Sequence, residues 1–403
     1  MGIGMRGVPL RYPYHLYPKK NKSVSGFSCL QTYYTRRMKM RNTKKVWGLL
    51  MAAAMAVSLT ACGGGTGSAG GTEGTKSSGQ EAETDSGQVS ADAAVVDGVE
   101  ELTLTLSHHC SEDDSNHVYA EAFAEAVNKL SGGKMTVDIY ANGQLFGQAD
   151  ALSALSQGTL DIALSDTALF ANYDPSGALF DMPYLVDSRE QAIKMVRDED
   201  VLSFIRGKMA EKGGFHVLSI QPLYFRSSLV KNKDINSFDG FKGLIMRTPE
   251  APHTIAAFEA FGANPTVIPS GEAYTAVQTG VADGLEGHPE YVYLQKFYEV
   301  AQNYVQTKHV FTFTAYSMSQ KVYDGLSDAQ KQVIDEASVL AQDAFLEYTS
   351  TLFEDSMKKL EEEGVQITEV DLAPFKESTA SYLQNFITDN NLQEVFDKIQ
   401  SLK

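Results

Sequence analysis

An alternation of strand and helix patterns over residues 100–166 constrains the fold more than any other feature of this 403-residue chain. Residues 100–107, EELTLTLS, alternate apolar and polar side chains as a strand does, and residues 117–130 repeat large apolar side chains at helical i, i+4 spacing. A second strand, a short helix in DALSALSQG and a third strand in LDIALS follow. This order predicts an α/β domain with a largely parallel sheet, in which ligands bind beyond the carboxyl ends of the strands.

Two later segments extend this architecture. Residues 223–309 repeat short strand and helix patterns and predict a second α/β unit. Residues 328–363 contain neither Gly nor Pro after a capping sequence, SDAQ, and as one helix they would span about 54 Å. We expect a helix that runs across both units. The alternative is two helices with a break near residues 349–351.

The N-terminal part of the chain has a different character. Residues 40–61 have a basic start, a short apolar stretch and small residues before a cysteine, as in a secretory signal peptide. The ending LTAC resembles the bacterial lipobox and predicts that Cys62 is lipidated; an ordinary signal peptide is the alternative. Residues 62–98 are mostly small and acidic, which predicts a flexible tether. Residues 1–39 are interpreted as an extension from a start codon placed too early.

The charge of the chain excludes one class of partner. Residues 1–61 contain 11 Lys and Arg and no Asp or Glu, so the rest of the chain has 23 basic and 51 acidic side chains, a net charge of −28. Such a surface repels nucleic acid and anionic lipid. An anionic ligand must therefore be bound by a few buried cations rather than attracted by the overall field.

Catalytic motifs are missing from the sequence. It has no G-x-S-x-G elbow, P-loop, H-E-x-x-H or C-x-x-C motif, so we predict a protein that is not an enzyme and needs no cofactor. A secreted hydrolase or lyase that uses the region of His109 and Asp166 is the enzymatic alternative. A cluster after the first strand matches no usual metal spacing, and we expect a solvated loop there. Its members are His108, His109, Cys110, Glu112, Asp113, Asp114 and His117.

Two arginines interrupt apolar runs in the second unit. Arg247 follows Leu-Ile-Met in GLIMRTPE, and Arg226 lies within LYFRSSLV. Arg is rarely buried without an anionic partner, and its guanidinium can bind a carboxylate through two parallel hydrogen bonds. The partner can be a neighbouring Asp or Glu, or a ligand. Two such cations in one small unit favour a pocket for an acid.

Several stretches of the chain, in this order, resemble the extracytoplasmic solute-binding proteins of tripartite ATP-independent periplasmic (TRAP) transporters, the DctP-like family. The resemblance covers roughly residues 102–340. It implies a two-lobed, periplasmic-binding-protein-like α/β fold with hinge strands and a long helix that spans both lobes. The stretches that carry it are FAEAVNKLSGGKMTVDIYANGQLFGQADALSALSQGTLDIAL, DMPYLV, GLIMRTPE, GANPTVIPSGEAYTAVQTGVADGLEGHP and LSDAQKQVIDEA.

The resemblance also implies roles for individual residues. In the family, the Arg of a G-x-K-x-R-x-P stretch binds the carboxylate of the transported acid; Arg247 occupies that position here, and Arg226 matches a second family arginine. The family motif D-G-x-E-N-P reads DGLEGHP, so Gly287 stands where the amide residue is expected and His288 is inserted. We expect Gly287 and His288 at the ligand, with His288 in place of the amide; the alternative for His288 is a surface-loop residue. This departure leaves the identity of the ligand open. The remaining implied contacts are His109, Gln148 and Asp166.

These observations predict an extracytoplasmic receptor, lipid-anchored to the outer face of the cell membrane. It would capture a small organic acid and deliver it to the membrane permease of a TRAP transporter. A solute-binding lipoprotein of an ATP-driven importer is the alternative. We expect lobe I over residues 99–223, completed by about 311–350, and lobe II over residues 224–310, completed by about 351–403.

Overall fold

The computed structural model describes residues 95–403, in which one nine-stranded mixed sheet carries helices on its faces. The strands follow the order β2-β1-β3-β8-β4-β7-β5-β6, with β9 paired to β8. Their bounds are β1 Leu102–Ser107, β2 Met135–Tyr140, β3 Ile162–Asp166, β4 Phe215–Val230, β5 Ile245–Thr248, β6 Asn264–Val267, β7 Gly284–Gly287, β8 Asn303–Ser319 and β9 Gln366–Thr368.

The long strands β4 and β8 join the two halves of the sheet. They pair antiparallel; β3 adds to residues 314–318 of β8, whereas β7 adds to residues 227–230 of β4. The pairing of β4 with β8 shifts register between Pro222 and Phe225, where proline has no N–H to donate. The fold is therefore two α/β lobes connected by two continuous hinge strands.

The helices occur where apolar spacing and capping residues predict them. Asp114 and Ser327 cap two of them through side-chain oxygens, and Ser327 forms a full capping box with Gln330. The bounds are α1 Ser115–Leu130, α2 Gln148–Gln157, α3 Arg189–Met195, α4 Glu199–Lys208, α5 Pro252–Ala260, α6 Ser270–Thr279, α7 Pro289–Leu294, α8 Gln320–Gly325, α9 Asp328–Tyr348, α10 Leu352–Glu362, α11 Ala373–Asp389 and α12 Gln393–Gln400.

The segment predicted as one helix over residues 328–363 is two helices, α9 and α10. The break lies at residues 349–351, as in the alternative stated above. The Tyr224 hydroxyl donates to the Thr349 carbonyl at 2.7 Å, and Nη2 of Arg189 donates to the Thr349 hydroxyl at 2.6 Å. Side chains from elsewhere in the fold therefore hold the break. Because α9 packs on α1 and α10 packs on α7, the helical segment still extends over both lobes.

The hydrophobic core is divided into clusters on the two halves of the sheet. The C-terminal helices contact both halves: Phe375 of α11 packs with Phe241, whereas Ile387 and Ile399 pack with Val201. The limits of the lobes given above stay a prediction. Within residues 95–403, no helix combines the length and the apolar character that a membrane span requires.

Candidate functional site

Arg226 of β4 and Glu286 of β7 form an ion pair near the carboxyl end of β7. Nε and Nη2 of Arg226 each lie 2.5 Å from an oxygen of Glu286, whose side chain is completely buried. Burial by itself raises the pKa of a carboxyl, but the charges and hydrogen bonds of Arg226 and His309 together outweigh this effect and hold the pKa of Glu286 well below its usual range. Nε2 of His309 lies 3.5 Å from the same carboxylate. The positive charge of Arg226 is therefore balanced within the fold.

The positive charge of Arg247 has no such partner among the described residues. Its side chain is buried, with 2% of the residue exposed, and its Nε donates to the carbonyl of Ile268 at 2.8 Å. Within residues 95–403, no carboxylate lies within ion-pair distance of its guanidinium. Arg247 is in register with Leu285, so it points to the opposite face of the sheet from Glu286. Among the hydrogen bonds of residues 95–403, the side chain of Arg247 donates from its Nε only.

Gln148 and Asp166 contact each other at the carboxyl end of β3. Oε1 of Gln148, the first residue of α2, accepts from the backbone N–H of Asp166 at 2.7 Å. Nε2 of Gln148 donates to Oδ2 of Asp166 at 3.3 Å. These bonds fix the Asp166 carboxylate at the edge of the sheet where ligands bind in α/β folds.

Asp181 is a charged neighbour of this group that the sequence analysis did not assign. It ends a 3-10 helix over Pro175–Asp181, and its Oδ2 is buried without a hydrogen-bond partner. Burial raises its pKa to about 7; Arg226 opposes the rise, whereas Glu286 and Asp166 add to it. An acidic residue directly before the apolar stretch MPYLV was the available signal.

A second buried carboxylate, Glu290 of α7, connects the two lobes. Its oxygens accept from the backbone N–H of Ser115 at 3.2 Å and from the Ser115 hydroxyl at 3.0 Å, at the start of α1. Burial and the nearby charge of Asp114 raise the pKa of Glu290 to about 8. The N-terminus of a lobe I helix is therefore bonded to a lobe II side chain that holds a proton near neutral pH.

Comparison with known proteins identifies the family. The model of the bacterial extracellular solute-binding proteins, family 7 (DctP), matches residues 106–389. This chain belongs to that family. It is 26% identical over 301 residues to the sialic acid-binding periplasmic protein SiaP of Vibrio cholerae, which covers 74% of this chain and 92% of that protein. It is 28% identical to the ectoine-binding periplasmic protein TeaA of Halomonas elongata over 73% of this chain and 88% of that protein.

Solved structures resemble this DctP-family protein over the same region. A TRAP periplasmic solute-binding protein from a Polaromonas species, bound to D-erythronate, has a TM-score of 0.69 and 26% identity, covering 75% of this chain and 99% of that one. The sugar acid-binding protein of Advenella mimigardefordensis, in complex with galactonate, has a TM-score of 0.69 and 25% identity, covering 76% and 100%. The two-lobed architecture of these proteins is the predicted one.

The altered motif of this DctP-family protein has a structural basis. A side chain at Gly287 would bring its Cβ within 2.8 Å of the Tyr291 ring, so the amide side chain expected there has no room. His288 caps α7, and its Nδ1 accepts from the Tyr291 N–H at 3.4 Å. Burial and the charge of Arg226 lower the pKa of His288 to about 3, so its imidazole is neutral. His288 borders the Arg226–Glu286 pair but already has a local structural role.

The predicted contact His109 lies beside Cys110 in the segment after β1. Its Nε2 is 3.5 Å from the Cys110 sulfur, and its Nδ1 is buried without a partner. In the same stretch, His108 Nε2 and His117 Nδ1 are 2.9 Å apart, and burial lowers the pKa of His108 to about 4. In the part of the chain that the structure describes, no three His, Cys, Asp or Glu side chains are grouped to hold a metal ion.

The structure thus groups some of the predicted site residues and places Arg247 on the other face of the sheet. Arg226, Asp166 and Gln148 lie in one charged group together with Glu286 and Asp181. Arg247 contacts Ile268 on the other face of the lobe II sheet, and His109 contacts Cys110. The predicted lipidation site, Cys62, lies outside the described residues.

Proposed function

We propose that this protein captures a small organic acid outside the cytoplasm and delivers it to the membrane permease of a TRAP transporter. The buried guanidinium of Arg247, which has no carboxylate partner within residues 95–403, carries the proposal. A ligand carboxylate supplies the missing negative charge and accepts two parallel hydrogen bonds from the terminal nitrogens. Arg226 has a different task, because Glu286 already neutralises it.

The family supports this function. It consists of extracellular solute-binding proteins, which are receptors rather than enzymes. The relatives above are named for binding sialic acid and ectoine, and the solved structures hold erythronate and galactonate. Because solved relatives are TRAP proteins, a TRAP permease is favoured as partner over an ATP-driven importer.

We also propose that Cys62 carries a lipid that anchors the protein to the outer face of the cell membrane. The motif LTAC after an apolar stretch supports this, as do the small and acidic residues 62–98, which suit a tether between the membrane and a folded receptor.

A thermal-shift screen of residues 63–403 against organic acids tests the proposed function. A ligand at 100 times its Kd adds roughly 2.7 kcal/mol to the free energy of unfolding, which produces a clear rise in Tm. We expect carboxylic acids to raise Tm and the corresponding neutral alcohols and amides to have no effect. A screen in which neutral sugars stabilise the protein as well as acids do would contradict a site built around Arg247.

A further inference from the structure

We propose that Asp181 lines the binding cleft and makes it selective for an acid with one carboxylate and several hydroxyl groups, against dicarboxylates. This inference rests on the proposed function, because it concerns the organic acid that Arg247 is proposed to bind. Its basis is the arrangement of charges around Arg226, which differs from that around Arg247.

The backbone places Asp181 beside the Arg226–Glu286 pair. Three residues after Asp181, the N–H of Tyr184 donates to the carbonyl of His309 at 3.1 Å, and this histidine contacts Glu286. Oδ2 of Asp181 is shielded from solvent and accepts no hydrogen bond. A carboxylate with a purely structural role normally has its buried oxygens bonded, so a missing partner points to a ligand group.

The charges of this end of the cleft suit hydroxyl groups. Arg226 is committed to Glu286 through two nitrogens, so it has little charge to offer a second anion. Asp166 and Asp181 add two acceptors, to which ligand hydroxyls can donate. A second ligand carboxylate would face both acids, and contacts between like charges weaken binding.

Asp181 also links this selectivity to pH. The groups that act on it are Arg226 of β4, Glu286 of β7 and Asp166 of β3, and Asp181 in turn acts on Tyr382 of α11. Because burial raises the pKa of Asp181 to about 7, its negative charge is largely lost at pH 5.5 and present at pH 8.5. Rejection of a dicarboxylate should therefore strengthen as the pH rises over this range.

Calorimetric titration with matched acids tests the inference. Two probes are the aldonates D-gluconate and D-galactonate, which have one carboxylate, and two are the corresponding dicarboxylates, the aldarates D-glucarate and galactarate. The remaining probes are hexanoate, which lacks hydroxyl groups, and the zwitterion β-alanine. At pH 8.5 we expect at least one aldonate to bind about a hundredfold or more tighter than its aldarate, hexanoate or β-alanine.

Asp181→Asn keeps the shape and removes the charge, so it should narrow the preference for aldonate over aldarate by about tenfold or more and abolish its pH dependence. Asp181→Ala should also weaken aldonate binding. Asp138→Asn, a change at an exposed acid on β2, is the control. It should alter neither the affinity for aldonate nor the preference for aldonate over aldarate. Thermal unfolding of each variant verifies that it is folded.

Three outcomes would overturn the inference. The first is that the wild-type protein binds an aldarate, hexanoate or β-alanine more tightly than an aldonate. The others are that Asp181→Asn keeps the wild-type preference for aldonate over aldarate, or that the wild-type protein binds no aldonate. If Arg247→Ala abolishes binding of the preferred acid while Asp181→Asn leaves its selectivity intact, the proposed function stands and this inference fails. If Arg247→Ala leaves binding intact, the proposed carboxylate site itself is wrong.

Discussion

Arg226 and Glu286 lie 60 residues apart in the chain, yet their side chains form two hydrogen bonds of 2.5 Å. The pair exists because β7 lies next to β4 in the sheet, with Glu286 in register with Ser228. Both charges are withdrawn from solvent, so each depends on the other. This relationship distinguishes Arg226 from Arg247, whose guanidinium contacts a backbone carbonyl and no acid within residues 95–403.

Glu286→Gln should destabilise the protein strongly, because it leaves the guanidinium of Arg226 without its buried counter-charge. Breaking a buried pair in this way typically costs about 3–5 kcal/mol. Urea unfolding measures the loss of free energy. The control is Glu362→Gln, which removes an exposed partner 3.9 Å from Lys358 and should cost less than about 1 kcal/mol. Equal stability of the two variants would show that the Arg226–Glu286 pair is not a structural element.

Arg247→Ala should weaken ligand binding by roughly two to three orders of magnitude while the free energy of unfolding changes little. Its guanidinium has no internal counter-charge to leave behind, and water can occupy the vacated space. Arg247→Lys keeps the charge but loses the two-pronged geometry, so it should also bind poorly. Calorimetry measures affinity, with Arg197→Ala, at a half-exposed arginine paired with Asp343, as the control. Intact affinity with sharply lower stability would make Arg247 a structural residue.

Glu290→Gln should change how stability depends on pH. The folded-state pKa of Glu290 is raised to about 8, so its contribution is fully present below its unfolded pKa near 4.5 and is lost as the pH rises towards 8. The slope for one such proton is at most about 1.4 kcal/mol per pH unit. Glutamine can still accept from Ser115 but cannot ionise, so the variant should lose less stability between pH 5 and 8 than wild type. Urea unfolding at pH 5 and pH 8 measures this difference, with Glu361→Gln, a change at an exposed residue, as the control. If the free energy of unfolding of Glu290→Gln falls by as much as that of wild type between the two pH values, the prediction is wrong.

The protein should become more compact when its acid binds, because contacts from both lobes favour a closed state. The hinge strands β4 and β8 and the helix break at Thr349 are the elements that connect the lobes. Small-angle scattering with and without a saturating acid measures the change in radius of gyration. Identical scattering curves, with binding verified by calorimetry on the same sample, would argue against closure.

Cys62→Ser should release the protein from the membrane fraction or leave its signal peptide uncleaved, because serine cannot carry the thioether-linked lipid. Cell fractionation and mass spectrometry of the N-terminus measure both effects. Cys110→Ser, at the partly buried cysteine of the folded part, is the control and should leave membrane attachment intact. Membrane attachment of the Cys62→Ser protein at the wild-type level, with no lipid on its N-terminus, would contradict lipid anchoring.

Local patterns predicted most of the secondary structure. Alternating apolar residues define β1 and β2, and the capping sequence SDAQ marks the start of α9, because these signals depend on neighbours within a few residues. The end of α9 has no such local signal, and the break near residues 349–351 was only the alternative to one continuous helix. No Gly or Pro marks it, and the hydrogen bonds that hold the break come from Tyr224 and Arg189, which are distant in sequence.

The sequence by itself determined that two arginines interrupt apolar strands and that each would need an anionic partner if buried. Only the tertiary structure decided which partner each one has. Strand order brings Glu286 to Arg226 and leaves Arg247 on the opposite face with the carbonyl of Ile268. The physical reason is that burial sets the need for a counter-charge residue by residue, whereas the pairing of strands far apart in the chain decides which carboxylate meets that need.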